Sequence, residues 1–343
     1  MMMLAGAKAE EASTLVATLN HEGKMLAYYG KSALVSAYTN AREGDVITLS
    51  AGTFSSCTMS KNITIRGVGM LDDVKSDNKS TIIEAGSSWT INLQNNDYEF
   101  VLEGVWCSGS ILMIKGSNQK EVTLKKCGFG GTVSIESGVY PKIIQCYGVN
   151  SGYHFYLYQG FCQNCVFRNL TEYSGGKSPL ILQNCVLYPD FSIQSSSSLT
   201  NCLVISPGTL AFSSSITLHN CVGFSTGVGG DFFKNATNST NKMVEERDNF
   251  FKNESLVVRN TDQYGDLSSY TVNWDSYNDG NGYFRLSDEA AKIYKGNDDT
   301  VVGVWGGAYP FNITPSNPRL TKCEIVPRVG DDGKLNVTIE VAQ

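Results

Sequence analysis

The side chains with the most chemistry to offer in this sequence are its ten cysteines. Seven of them, Cys107, Cys127, Cys146, Cys165, Cys185, Cys202 and Cys221, follow one another at intervals of 20, 19, 19, 20, 17 and 19 residues. Cysteines in an exported chain suggest disulfides, and the Cys162-Gln-Asn-Cys165 pair suggests a redox motif or half of a zinc site. The spacing argues instead for a structural repeat. An apolar residue stands three positions before most of these cysteines, at Leu124, Ile143, Leu182, Leu199 and Leu218, and Cys162 occupies that slot in its own unit. Cys162 is therefore read as core, and with no second CxxC a tetrahedral metal site is not expected.

Other chemistry is sparse. Three histidines, His21, His154 and His219, offer no serine-type triad, and His219 is read as a surface side chain. The serine runs Ser195 to Ser198 and Ser213 to Ser215 read as turns. Asp72, Asp73 and Asp77, mixed with Lys75 and Lys79, read as a solvated loop. Glu84, Glu103 and Glu121 lie close to one repeat apart, but Glu84 ends a strand and Glu121 begins one, so a shared catalytic face is not expected. Arg66 and Arg168 have no evident acidic cluster beside them in sequence. No catalytic constellation, metal site or cofactor motif emerges. The strongest binding candidate is Tyr153-His-Phe-Tyr-Leu-Tyr158: with Phe155 and Leu157 inward, alternation turns His154, Tyr156 and Tyr158 outward, and Glu136 of the preceding repeat lies alongside. Such a face suits a polysaccharide or glycan partner.

The elements that would carry these residues follow from the repeat. Runs such as Thr132-Val-Ser-Ile-Glu136, Asp190-Phe-Ser-Ile-Gln194 and Thr209-Leu-Ala-Phe-Ser213 alternate with period two, as strands do. Strands that return every ~19 residues leave no room for helical crossovers, so they stack as coils of a right-handed parallel β-helix. Stacked cysteines at the ~4.8 Å strand spacing sit slightly too far apart for disulfides, which predicts mostly free, buried thiols. Asn164, Asn184, Asn201 and Asn220 each precede a cysteine and predict a left-handed bend there. Gly67, Gly69, Gly86 and Gly104 fit tight corners.

The expected organisation is an all-β chain in three parts. Residues 1–12 read as a signal-peptide remnant or flexible start, implying a secreted, periplasmic or cell-surface location. Residues 13–240 form a capping helix over Ser32 to Glu43 and the β-helix, whose early coils use Val46 to Leu49, Asn62 to Arg66 and Thr81 to Glu84. Residues 241–343 form C-terminal coils or cap, with a short helix over Asp288 to Lys295 and a hairpin pairing Cys323 to Val329 with Leu335 to Val341. A net charge of −6 and a pI near 5.2 argue against nucleic acid, and no stretch is apolar for the ~20 residues of a transmembrane segment.

Gly44-Asp-Val-Ile-Thr-Leu-Ser-Ala-Gly-Thr-Phe54 followed by Ile63-Thr-Ile-Arg-Gly67 resembles the opening coils of pectate-lyase-like β-helix proteins. Gly303-Val-Trp-Gly-Gly-Ala-Tyr-Pro-Phe311 resembles the ending of secreted β-helix proteins of Bacteroidetes, many of them uncharacterised. The resemblance implies the fold and carbohydrate-active relatives. It leaves three functional expectations: a glycan-binding surface protein, a polysaccharide lyase or glycoside hydrolase, and a structural or adhesive surface protein.

Overall fold

A computed structural model of the protein describes residues 15–71, 79–94, 97–148, 154–194, 196–206, 216–225, 242–243, 285–312, 319–325 and 337–342. The residue 1–12 start, the Asp72 to Asp77 loop and the run Thr209 to Ser215 lie outside the described residues. The chain is nearly all β and winds into a parallel solenoid of about eight turns. One sheet stacks Val46–Leu49, Thr64–Arg66, Phe100–Glu103, Lys120–Lys125, Val139–Ile144, Gly160–Gln163, Leu180–Gln183, Ser198–Thr200 and Thr217–His219. A second stacks the strands that follow each of these around a corner, from Gly52–Ser55 to Val222–Ser225. Third strands Trp89–Asn92, Ile111–Lys115, Thr132–Ile135 and Phe155–Leu157 complete the middle coils and join the long strand Val166–Glu172.

The corner between the first two sheets determines the repeat. Lys126, Gln145, Asn164, Asn184, Asn201 and Asn220 all have positive φ, between 49° and 54°, and Gly104 opens the column at φ 68°. The bend is thus where asparagine predicts it, and in the earlier coils Lys126 and Gln145 hold the same conformation. Lys126, Gln145, Asn164, Asn184 and Asn201 each donate the backbone N–H to the next coil, as Lys126 N does to Ile144 O at 2.9 Å and Asn164 N to Gln183 O at 3.0 Å.

Immediately past the bend the cysteines turn inward. The pairings Gly128↔Tyr147, Tyr147↔Val166, Val166↔Val186, Val186↔Leu203 and Leu203↔Val222 place Cys127, Cys146, Cys165, Cys185, Cys202 and Cys221 in one column. Cys107 is not its first member: it pairs with Phe129, two positions further on, and Val105 stands below Cys127. The 20-residue interval conceals a two-residue change of slot, because alternate positions on a strand face the same way. Cys162 lies between Ile143 and Leu182 in the apolar column, fully buried.

The nine cysteines from Cys57 to Cys221 are free thiols. In the ladder each Sγ lies near two carbonyl oxygens, for example Cys165 Sγ at 3.2 Å from both Ile143 O and Gln163 O. Burial is the leading influence on these thiols and opposes ionisation, and at Cys127, Cys165, Cys202 and Cys221 the net displacement is upward. At Cys146 and Cys185 hydrogen bonds from the neighbouring coils to the sulfur, such as Cys127 N to Cys146 Sγ at 3.5 Å, pull the other way.

Two additions close the fold. At the N-terminal end Ala33–Asn40 is helical, burying Ala33, Leu34, Ala37 and Tyr38 over the first coil. Its C-terminal carbonyls at Tyr38, Thr39 and Ala41 accept from Lys61 Nζ. Ahead of it the antiparallel hairpin Val16–His21 with Lys24–Tyr29, which the sequence reading did not anticipate, pairs with Val46–Leu49. Further along the chain, residues 285–312 run back across the asparagine corner. Asp288–Ile293 is the expected short helix, capped by Ser287 Oγ accepting from Ala290 N. Asn201 Nδ2 donates to Asn297 Oδ1, Asn164 Nδ2 donates to Val304 O and Gly306 O, and Gln145 Nε2 donates to Tyr309 O. Beneath this strap Leu286, Ala290, Val302, Val304 and Phe311 bury the outward side chains Tyr147, Val166, Val186, Leu203 and Val222 in a second apolar cluster. The hairpin pairs Arg319–Ile325 with Val337–Ala342, its first strand beginning four residues before the expected Cys323.

Two outcomes follow. Iodoacetamide should leave Cys127, Cys146, Cys165, Cys185, Cys202 and Cys221 unmodified in native protein and alkylate them after unfolding; native labelling, read by peptide mass spectrometry, would contradict the ladder. Asn164→Gly should cost about 1–3 kcal/mol through its lost bonds to the strap. Asn164→Ala should cost about 1–2 kcal/mol more, the strain of a left-handed alanine. Equal urea midpoints for the two would show that the bend carries no strain.

Candidate functional site

The outward side chains of the third strands form columns along the solenoid. Pairing of Ser134 with Tyr156, and of Tyr156 with Thr171, fixes the register. Phe155 and Leu157 point inward and are buried, so His154, Tyr156 and Tyr158 share the outer face, as alternation requires. Continuing the same register, Glu136 stands level with Tyr158, is exposed, and has Lys115 in the coil before it.

Sequence reasoning missed the residue that links this face. Leu157 pairs with Glu172, which puts Tyr173 beside Tyr158. Tyr173 N donates to Leu157 O at 2.7 Å, and the ring is 42% exposed. His154 stacks on Tyr156 with centroids 5.3 Å apart and planes 9° apart. Tyr156 stacks on Tyr173 at 5.2 Å and 17°, and Tyr158 meets Tyr173 at 5.4 Å with a 45° tilt. The four rings are thus one continuous stack. A search at the ~19-residue period could not find Tyr173, which lies only 15 residues after Tyr158, because the preceding coil carries extra residues between Gly148 and Phe155. The Nδ1 of His154 is buried and has no hydrogen-bond partner among the described residues.

Behind the rings lies a buried carboxylate. Glu172 is 3% exposed and faces the interior of the solenoid. Ser197 Oγ donates to it at 2.6 Å, Gln194 N donates at 2.8 Å, and Ser197 Oγ in turn accepts from Leu180 N at 3.0 Å. Ser197 is fully buried, so at this position the serine run is part of the core and not a surface turn. Three successive coils are tied together one residue away from Tyr173. Burial pushes the Glu172 carboxyl up, with the donated hydrogen bonds opposing it.

The other carboxylates do not gather. Glu84 pairs with Lys31 Nζ at 2.6 Å on the second sheet, and Glu121 pairs with Lys142 Nζ at 2.7 Å on the first. Glu103 is buried between Arg66, at 3.6 Å, and Lys125, at 3.3 Å. Arg66 therefore does have an acidic neighbour, supplied by the next coil and invisible in linear sequence. Arg168 is buried at a bulge between Phe167 and Asn169. His219 is exposed, as expected. Among the described residues no cluster of His, Cys, Asp or Glu could hold a metal ion, and no helix is long and apolar enough to cross a membrane. No protein-family model matches this chain, and no curated protein matches it.

A carboxyl raised above its ordinary value of 4.5 binds its proton more readily folded than unfolded. Its contribution to stability is therefore full below the unfolded pKa and is lost as pH rises through the folded one. Relative to Glu172→Gln, the native protein should gain stability as pH falls from 7 towards the ordinary carboxyl value. Urea denaturation across that range measures the difference; a gap that widens in favour of Gln on acidification would contradict the buried-carboxylate geometry.

Proposed function

We propose that this protein is a secreted or cell-surface β-solenoid that binds polysaccharide or glycan on the face made by His154, Tyr156, Tyr158 and Tyr173, with Glu136 at its margin. The observation that carries this reading is the continuous ring stack on an outer face. Mutual stacking fixes the tyrosines before any ligand arrives, so little rotamer entropy remains to be lost on binding. Tyr173 is 42% exposed and Tyr158 meets it at a 45° tilt, and exposed rings of this kind suit the apolar patches and hydroxyls of a sugar. Glu136 supplies an acceptor for sugar hydroxyls at the level of Tyr158. Binding is preferred to catalysis because Glu84, Glu103 and Glu121 are engaged by separate lysines and an arginine, in different places. The export half of the proposal rests on the apolar, small-residue start over residues 1–12.

A glycan array spanning neutral and uronic-acid polysaccharides, followed by calorimetry on the best ligand, tests this. Tyr158→Ala and Tyr173→Ala should each weaken binding about 2- to 10-fold, the equivalent of one aromatic contact of about 0.5–1.5 kcal/mol. Tyr309→Ala, an exposed tyrosine on the strap, should change nothing. No glycan bound, or equal affinity in all three variants, would remove the reading.

A further inference from the structure

The solenoid's first sheet ends at its N-terminal side in the strand Lys24–Tyr29, whose outer edge pairs with nothing among the described residues. This edge lacks the usual protections. It has no proline, no bulge, and one charge, Lys24, at its extreme end. Met25, Leu26 and Tyr29 are 69%, 52% and 68% exposed, so both faces of the strand present apolar side chains.

The hairpin geometry decides which backbone groups are free. His21 pairs with Lys24 across a two-residue turn in which Glu22 and Gly23 have φ of 50° and 81°, the primed turn of a tight hairpin. In such a hairpin the closing pair is hydrogen-bonded, so Lys24, Leu26 and Tyr28 point their backbone groups at the partner strand. The N–H and C=O groups of Met25, Ala27 and Tyr29 point outward.

We infer that this edge pairs with the same strand of a second copy, antiparallel and centred on Ala27. A two-fold axis perpendicular to the sheet keeps each face on its own side, which demands that opposed residues have the same parity. With Ala27 opposite Ala27, Met25 lies opposite Tyr29 twice and Leu26 opposite Tyr28 twice. The outward groups of all three residues are then satisfied by six N–H···O bonds. The smallest side chain of the strand sits at the axis, where the two chains are closest. Sulfur meets aromatic ring at both Met25 positions, a favourable contact. Each Lys24 falls opposite a Gly30, and the two ammonium groups lie about 20 Å apart along the strand direction. The exposed Glu22 of one copy comes opposite the Lys31–Ser32 segment of the other, where Lys31 is half exposed beside its own partner Glu84. The result is one sheet continuous through two solenoids, joined end to end.

A strand edge of six residues buries less than the ~800 Å² per partner of a standard interface, so the dimer is expected in the micromolar range. Sedimentation velocity of the full chain from 1 to 200 µM should show a monomer converting to a dimer. Ala27→Pro should leave a monomer throughout, because it removes an outward N–H and spares the hairpin's own bonds. Met25→Lys supplies a second test without a backbone change, and should also be monomeric; circular dichroism matching the parent confirms that each variant is folded. A parent chain monomeric at 200 µM would overturn the inference. So would a dimer that both folded variants retain, or one that appears only after removal of residues 1–14, which would make that segment the occupant of the edge.

Discussion

Everything in this fold depends on the hydrogen bonding of one coil to the next at a single left-handed corner. Once the N–H of Lys126 is committed to Ile144, and that of Asn164 to Gln183, each coil must bring its corner directly over the last. Side-chain slots are then inherited from coil to coil, and a residue is chosen for a column instead of for a site. Cysteine suits the position after the bend because it is small enough for the inside of a corner. It is also polar enough to offer its S–H to the two carbonyls converging there, such as Leu124 O and Ile144 O around Cys146. Leucine would crowd the corner, and alanine would leave both carbonyls without that contact.

The same corner makes the strap necessary. Because the chain turns sharply, the residue after each cysteine faces outward, and at Tyr147, Val166, Val186, Leu203 and Val222 that residue is apolar. Strands apolar on both faces belong between two layers. Residues 285–312 supply the outer layer, and the corner amides supply the hydrogen bonds that hold it, so Asn164 serves the bend through its backbone and the strap through its side chain.

What could be read from the sequence follows from the same physics. Period, bend and inward column are local and repeated, so the fold, the early strands, the capping helix and the Asp288–Ile293 helix could all be anticipated. The register of Cys107 could not, since a two-residue slip preserves the direction of every side chain. The strap was signalled by the apolar residue after each cysteine, but that pattern says only that something covers the face. The site was half legible: alternation placed His154, Tyr156 and Tyr158 together, whereas Tyr173 and the Arg66–Glu103 pair arise from stacking between coils of unequal length.

That stacking also changes what the aromatic face can do. Isolated tyrosines on a strand offer ring faces to a flat ligand. Here Tyr156 stacks on both His154 and Tyr173, so its ring is already engaged within the protein. The geometry of the stack depends on the height of Tyr173. Tyr173 takes that height from Glu172, fixed inside the solenoid by Ser197 and Gln194 of the following coils. A buried carboxylate is an expensive anchor for a core. Its place immediately behind the rings ties the spacing of the outer face to the interior of three coils.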